Sequence, residues 1–144
     1  MFGKKALFAK MNGHVNIVAI AICEAALQEQ RRLGQREDRR LITAVANLLT
    51  GRDSPSHTEQ EKQSASHLAA ILLREHHDIR FAAVMCVRTT GIIGGTEAAI
   101  TAMKTIDWIS TFGEMPGFPP DPDTMHRLAY DMAMKYCPNA IEIG

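Results

Sequence analysis

The spacing of the apolar residues constrains the fold of this chain more than any other feature, because it follows the helical period almost throughout. Between residues 41 and 49, five apolar residues fall at i, i+1, i+4, i+7 and i+8: Leu41, Ile42, Val45, Leu48 and Leu49. These positions share one side of an α-helix, whereas a strand would divide them between its two faces. Gly51 follows and can adopt the left-handed turn that often ends a helix. The pattern therefore predicts an all-α protein.

Extended to the whole chain, the same period predicts a compact bundle of six to seven helices. They span about residues 2–11, 15–33, 41–49, 56–76, 81–87, 96–112 and 124–136. Gly13 is placed to end the first helix, Ser56 and Glu59 have the spacing of a capping box, and Asp123 or Thr124 can cap the last helix. The polar end of the second helix, residues 28–32, is expected to project into solvent. The length of 144 residues suits a single helical domain, 1–144.

Two apolar runs leave an α/β alternative open. Residues 15–22 and 81–87 are rich enough in apolar side chains that periodicity does not separate a buried helix from a buried strand. As strands, the two runs would need each other as partners. Because Asp78 is placed to cap a helix over residues 81–87, we favour the helical assignment.

The composition predicts a folded protein with no general attraction to nucleic acid or to membranes. Apolar residues make up 46% of the chain, and 16 basic residues balance 16 acidic ones. No apolar run approaches the roughly 18 residues that span a bilayer, and the lysines before residues 15–22 make a poor signal peptide. Cys23, Cys86 and Cys137 cannot all pair within one chain, so we expect free thiols and a cytoplasmic protein.

The histidines do not have the spacing of a metal site. Ligands on one helical face lie three or four residues apart, and no two of these five do: His57, His67, His76, His77 and His126. Asp123 and His126 are three residues apart, but an aspartate at a helix start is more often its cap. We therefore expect no metal and no cofactor, and any metal site would have to be assembled across helices.

Sequence motifs for catalysis are absent, since the chain has no Gly-x-Ser-x-Gly elbow and no local signature around a cysteine. The best candidate for a small-anion site is the turn Gly91–Thr96, where Gly94, Gly95 and Thr96 run into a predicted helix start with free backbone donors. The turn lacks the Lys-Ser/Thr of a phosphate loop. A tight connection between helices is the favoured interpretation, and an enzyme or anion-binding protein using this turn is the alternative.

The densest charge cluster consists of five arginines in ten residues: Arg31, Arg32, Arg36, Arg39 and Arg40. Without interleaved aromatic residues, it lacks the stacking platform of a single-strand binder. Duplex binding is disfavoured by Glu59 and Glu61 at the start of the following helix, which would repel phosphate. A nucleic-acid-associated regulator is therefore a further alternative, and we keep the arginines as candidate partner-binding residues.

The last helix carries more apolar surface than a one-sided surface helix needs. Beside its main stripe it has a second one, formed by Tyr130, Met134 and Cys137. Trp108, at the border of the polar side of its helix, is another candidate anchor for a partner. Burial within the bundle and an interface explain these residues equally well. The working hypothesis is a small, non-enzymatic helical protein that binds another protein as an adaptor, inhibitor or regulator and forms homo-oligomers.

Overall fold

The structure is a computed structural model that describes residues 2–52, 56–92, 100 and 121–138. Within these ranges the chain forms five helices and no strand. The helices are α1 (Phe2–Arg32), α2 (Arg39–Leu49), α3 (Glu59–Glu75), α4 (His77–Ile92) and α5 (Pro122–Tyr136). The all-α prediction is confirmed for the described part of the chain. The α/β alternative is wrong, because residues 15–22 lie within α1 and residues 81–87 lie within α4.

The first two predicted helices are one continuous helix, α1, so the described residues contain one helix fewer than predicted there. Gly13 does not end the helix. A glycine inside a helix costs only about 1 kcal/mol relative to alanine, and the core contacts of Met11, Val15 and Val18 on either side outweigh that cost. Of the helix predicted to begin at residue 96, only Ile100 lies within the described residues, and it is helical.

Side-chain caps fix where the other helices begin. Asp38 caps α2 by accepting from the backbone N–H of Leu41 at 3.2 Å. The capping box of α3 is formed by Thr58 and Glu61, two residues after the predicted pair, and Glu61 also accepts from Arg40 at 2.8 Å.

Helix α5 is capped by Asp121, which accepts from the backbone N–H of Thr124 at 3.1 Å. The predicted caps Asp123 and Thr124 lie in the first turn instead. Pro122 explains the earlier start, since it occupies the first helical position, where the missing N–H would have no partner.

Helix α1 is central, because it packs against each of the other four helices. The largest fully buried apolar side chains come from all five helices: Ile22, Leu49, Leu72, Leu73, Ile79, Met125 and Met132. The end of α1 is exposed on one side only: Gln28, Arg31 and Arg32 lie in solvent as predicted, whereas Glu29 and Gln30 are buried. Helix α5 lies along α1 in parallel orientation, with His126 beside His14 near one end and Tyr136 connected through His76 to Glu29 near the other.

None of the helices in the described ranges is both long enough and apolar enough to span a lipid bilayer.

Candidate functional site

One side of α1 and α5 exposes large apolar side chains to solvent. Ile17 and Ile20 of α1 are 39% and 55% exposed, and Tyr130 and Met134 of α5 are 54% and 47% exposed. The two isoleucines are three residues apart and the α5 pair is four residues apart, so each pair lies on one side of its helix. We call the surface formed by Ile17, Ile20, Tyr130 and Met134 the α1/α5 face.

A cavity that is open to the surface lies between the two helices at this face. Its volume is about 180 Å³, and it is lined by His14, Ile17, His126, Ala129, Tyr130 and Ala133. The wall is almost entirely apolar. Ile17 and Tyr130 border it from opposite helices, which joins the two halves of the α1/α5 face around one opening.

The cavity contains a pair of histidines in direct contact. The Nε2 atom of His14 lies 3.2 Å from the Nδ1 atom of His126, and the two rings meet edge to face with centroids 5.1 Å apart. His14 is only 8% exposed, whereas His126 is on the surface. Within the described part of the chain, the Nδ1 atom of His14 has no hydrogen-bond partner. One buried imidazole therefore depends on a second imidazole for its polar contact.

The surroundings keep His14 uncharged. Burial lowers the pKa of His14 below its usual value, and the nearby His126 and Lys10 lower it further. At neutral pH the ring is therefore a neutral imidazole with a lone pair on one nitrogen, which is the form that binds metal ions. The described residues contain no group of three or more His, Cys, Asp or Glu side chains arranged around one point. The histidine pair by itself offers two imidazole nitrogens 3.2 Å apart, fewer than the four ligands of a structural zinc site.

A second polar cluster joins the ends of several helices. The Nε2 atom of His76 lies 3.1 Å from a carboxylate oxygen of Glu29, and its Nδ1 atom lies 3.0 Å from the hydroxyl of Tyr136. Tyr136 in turn donates to Asp78 at 3.1 Å. Asp78 also accepts from Lys135 at 2.8 Å.

The chemistry of these groups limits which of them donates and which accepts each hydrogen bond. A carboxylate only accepts, so Nε2 of His76 must donate to Glu29. The hydroxyl of Tyr136 lies between Nδ1 of His76 and the carboxylate of Asp78 and is within hydrogen-bond distance of both. Each of these groups thus has a partner inside the protein, which is the pattern of a structural tie rather than of a binding site.

The acidic groups of this cluster have shifted pKa values. Burial alone would raise the pKa of Glu29, but hydrogen bonds from Arg32 and His76 lower it below its usual value. Burial likewise opposes ionisation of Asp78, and donation from Lys135, the Ile79 backbone and Tyr136 outweighs it, so the pKa of Asp78 is lowered. For Tyr136, burial and the neighbouring Asp78 raise the pKa to about 12.

The predicted partner-binding residues of the last helix differ in their environment. Tyr130 and Met134 lie on the α1/α5 face and are exposed. Cys137 instead is half-buried and packs against the core, and burial raises the pKa of its thiol. Trp108 lies outside the described residues.

Most of the arginine cluster forms ion pairs with acidic side chains. Arg32 binds Glu29 at 2.7 Å, and Arg40 binds Glu61 and the backbone carbonyl of Ser56, both at 2.8 Å. Arg39 lies 3.5 Å from Glu37. Arg31 and Arg36 are exposed. Because three of the five arginines face carboxylates, the positive field of this surface is weaker than the sequence suggests.

The predicted anion-binding turn does not begin at Gly91, because α4 continues to Ile92. The remaining residues of that turn, Gly94, Gly95 and Thr96, lie outside the described residues. A strand leading into the glycines would have favoured a phosphate site. The residues before the glycines form helix α4 instead.

Three residues of the α1/α5 face and its cavity were not predicted from the sequence, namely His14, Ile17 and Ile20. The available signal was the stretch 15–22, which is apolar almost all round. Such a helix is either buried on every side or covered by a partner.

Comparison of the chain with protein-family models, curated proteins and solved structures finds no match. The function therefore has to be argued from the geometry of the chain itself.

Proposed function

We propose that the protein acts by binding other protein surfaces through the α1/α5 face, and that its first partner is a second copy of itself. The observation that carries the proposal is the exposure of four large apolar side chains on two adjacent helices, two of which, Ile17 and Tyr130, line one cavity. Scattered exposed apolar residues are ordinary on a protein surface, whereas a joined group of this kind is typical of an interaction site.

Covering these side chains would stabilise an assembly, since buried apolar surface contributes about 25 cal/mol per Å². Tyrosine and methionine suit such a surface, because tyrosine supplies a large rigid contact and methionine adapts its shape to a partner. Both occur on α5 within one helical turn of each other, at Tyr130 and Met134.

A second copy is the simplest occupant of the face. In a two-fold dimer the same patch covers itself, and no further complementary surface has to exist. The net charge of zero, with 16 basic and 16 acidic residues, removes the long-range repulsion that would oppose contact between two copies. The arginine pairings described above make nucleic acid a weaker candidate.

Light scattering or analytical ultracentrifugation at micromolar concentration tests the proposal. We expect the parent to have the mass of a dimer and Met134→Glu to have the mass of a monomer with an unchanged circular dichroism spectrum. Phe81→Glu is the matched control, because Phe81 is a 50% exposed apolar residue on α4, a helix that contributes no residue to the face. This control should remain dimeric. A monomeric parent, or dissociation by both substitutions alike, would contradict the proposal.

A further inference from the structure

We propose that His14 and His126 are the two ligands that each copy contributes to a four-histidine zinc site on the two-fold axis of the dimer. The inference rests on the proposed self-association, because a second copy supplies the other half of the coordination shell. It extends that function by naming a metal ion as the element that selects this mode of assembly.

The distance between the two histidines matches the requirement of zinc. Zinc binds imidazole nitrogens at about 2.0–2.1 Å in a tetrahedral arrangement, which places two ligand nitrogens about 3.3 Å apart. Nε2 of His14 and Nδ1 of His126 are separated by 3.2 Å. The pair therefore already has the spacing of two neighbouring corners of a zinc tetrahedron.

The pair is also half of a complete site. Structural zinc is almost always bound by four protein ligands, and the described residues of one chain provide no group of three or more candidate ligands. A two-fold axis passing beside the pair duplicates it and gives four imidazoles. Imidazole is a preferred ligand of zinc and of its neighbours copper and nickel.

A bound metal ion would explain why the imidazole of His14 is buried. Removing an imidazole from water costs free energy unless its nitrogens find partners. In the described residues, Nε2 of His14 has one partner, the His126 ring at 3.2 Å, and Nδ1 has none. A metal ion held between Nε2 of His14 and Nδ1 of His126 would replace this single hydrogen bond with two coordination bonds.

The position of the pair fits a shared site. His126 is exposed and the cavity opens to the surface, so an ion held between the two nitrogens can be reached by a second molecule. Ile17 and Tyr130 line the same cavity and belong to the α1/α5 face. Closure of that face in a dimer would exclude water from the metal and strengthen its interaction with the ligands.

The test combines metal binding with molecular mass. The parent is first stripped with a chelator and then titrated with zinc chloride by calorimetry, and with cobalt chloride by visible absorption. We expect one metal ion per two chains, the intense absorption bands of tetrahedral cobalt, and a tighter dimer when metal is present. His126→Ala should abolish binding while keeping the helical spectrum, since His126 lies on the surface. His67→Ala removes an exposed histidine of α3 and should change nothing.

The possible failures are distinguishable. A stripped parent that is dimeric but binds neither zinc nor cobalt would overturn the metal site and leave the self-association intact. A parent that stays monomeric with and without metal would overturn both proposals. One metal per chain with the weak spectrum of octahedral cobalt would also overturn the four-histidine site, because the second copy would then contribute no ligand.

Discussion

His76 illustrates how a single polar side chain connects separate parts of this fold. It follows α3 immediately, and its two ring nitrogens reach Glu29 of α1 and Tyr136 of α5. Asp78 at the start of α4 completes the connection through Tyr136. Such a network specifies one arrangement of the helix ends only when all of its members are satisfied.

Tyr136→Phe tests this network, because it removes one hydroxyl and keeps the buried ring. The change leaves Nδ1 of the half-buried His76 without its hydroxyl partner and takes from Asp78 one of its three donors, while Lys135 and the Ile79 backbone remain. We expect the free energy of unfolding at pH 7 to fall by about 1–3 kcal/mol. Urea titrations followed by circular dichroism measure it. A variant as stable as the parent would contradict the structural role of the network.

Tyr136→Phe should also change how the stability of the folded protein depends on alkaline pH. In the folded protein the pKa of Tyr136 is raised from its usual value of 10.0 to about 12. Tyr136 therefore contributes stability that is fully present below pH 10 and is lost as the pH rises towards 12. Between pH 9 and pH 11 the parent should lose stability more steeply than Tyr136→Phe. Equal slopes would show that the hydroxyl ionises as easily in the folded chain as in the unfolded one.

Two adjacent leucines in α2 provide a second test of how single residues contribute to the free energy of unfolding. Leu49 is fully buried, whereas Leu48, also part of the predicted stripe, is only partly buried against the core. Leu49→Ala should lower the free energy of unfolding by about 2–5 kcal/mol, as expected for a truncation in a packed core. Leu48→Ala should cost less, because part of the lost surface was already in water. The reverse order, measured by urea denaturation, would mean that α2 is rotated about its axis.

Two glycines test where helix α1 continues and where it ends. Gly13 lies inside α1 and has open space where a Cβ would be, whereas Gly34 follows α1 with a φ of 70°. Gly13→Ala should raise the free energy of unfolding by about 0.5–1 kcal/mol, since alanine restricts the unfolded chain and suits a helix. Gly34→Ala should lower it by roughly 1–2 kcal/mol, because an L side chain is strained at that φ. A destabilising Gly13→Ala would indicate that α1 is interrupted, as the sequence had suggested.

Periodicity and turn chemistry account for much of what the sequence predicts about the helices. The stripe of α5 is buried at Met125, Ala129, Met132 and Tyr136, and Gly51 has the positive φ expected after α2. Both features depend on neighbours within one turn of helix. Gly13 was misjudged because its local cost of about 1 kcal/mol is outweighed by core contacts made elsewhere along α1.

The candidate site was only partly predictable, because it depends on how helices are placed against one another. Tyr130 and Met134 could be found from the spacing within α5. His14 and His126 are 112 residues apart, and Glu29 and His76 are 47 residues apart. No periodicity relates such pairs, since spacing within a helix says nothing about which helix lies beside it. The same limit explains why Glu29 and Gln30, which are buried near the end of α1, were expected in solvent.

The molecule as a whole combines a well-buried core with one apolar face that the described helices leave uncovered. Helix α1 takes part in both, because Val15, Val18 and Ile22 are buried while Ile17 and Ile20 are exposed. A helix that is apolar on opposite sides has one side more than the core of a single chain requires. Self-association would place both sides of α1 in an apolar environment.

Self-association through this face should make thermal stability depend on protein concentration. A dimer that dissociates on unfolding gains about 1.4 kcal/mol per chain when the concentration rises a hundredfold. In a chain of 144 residues this corresponds to a rise of about 3–6 °C in the unfolding midpoint. Circular dichroism between 1 and 100 µM, about a hundredfold range in cells of different path length, measures it. Met134→Glu should show the same midpoint at every concentration, whereas Phe81→Glu should follow the parent. A parent whose midpoint does not move would refute the dimer independently of any measurement of mass.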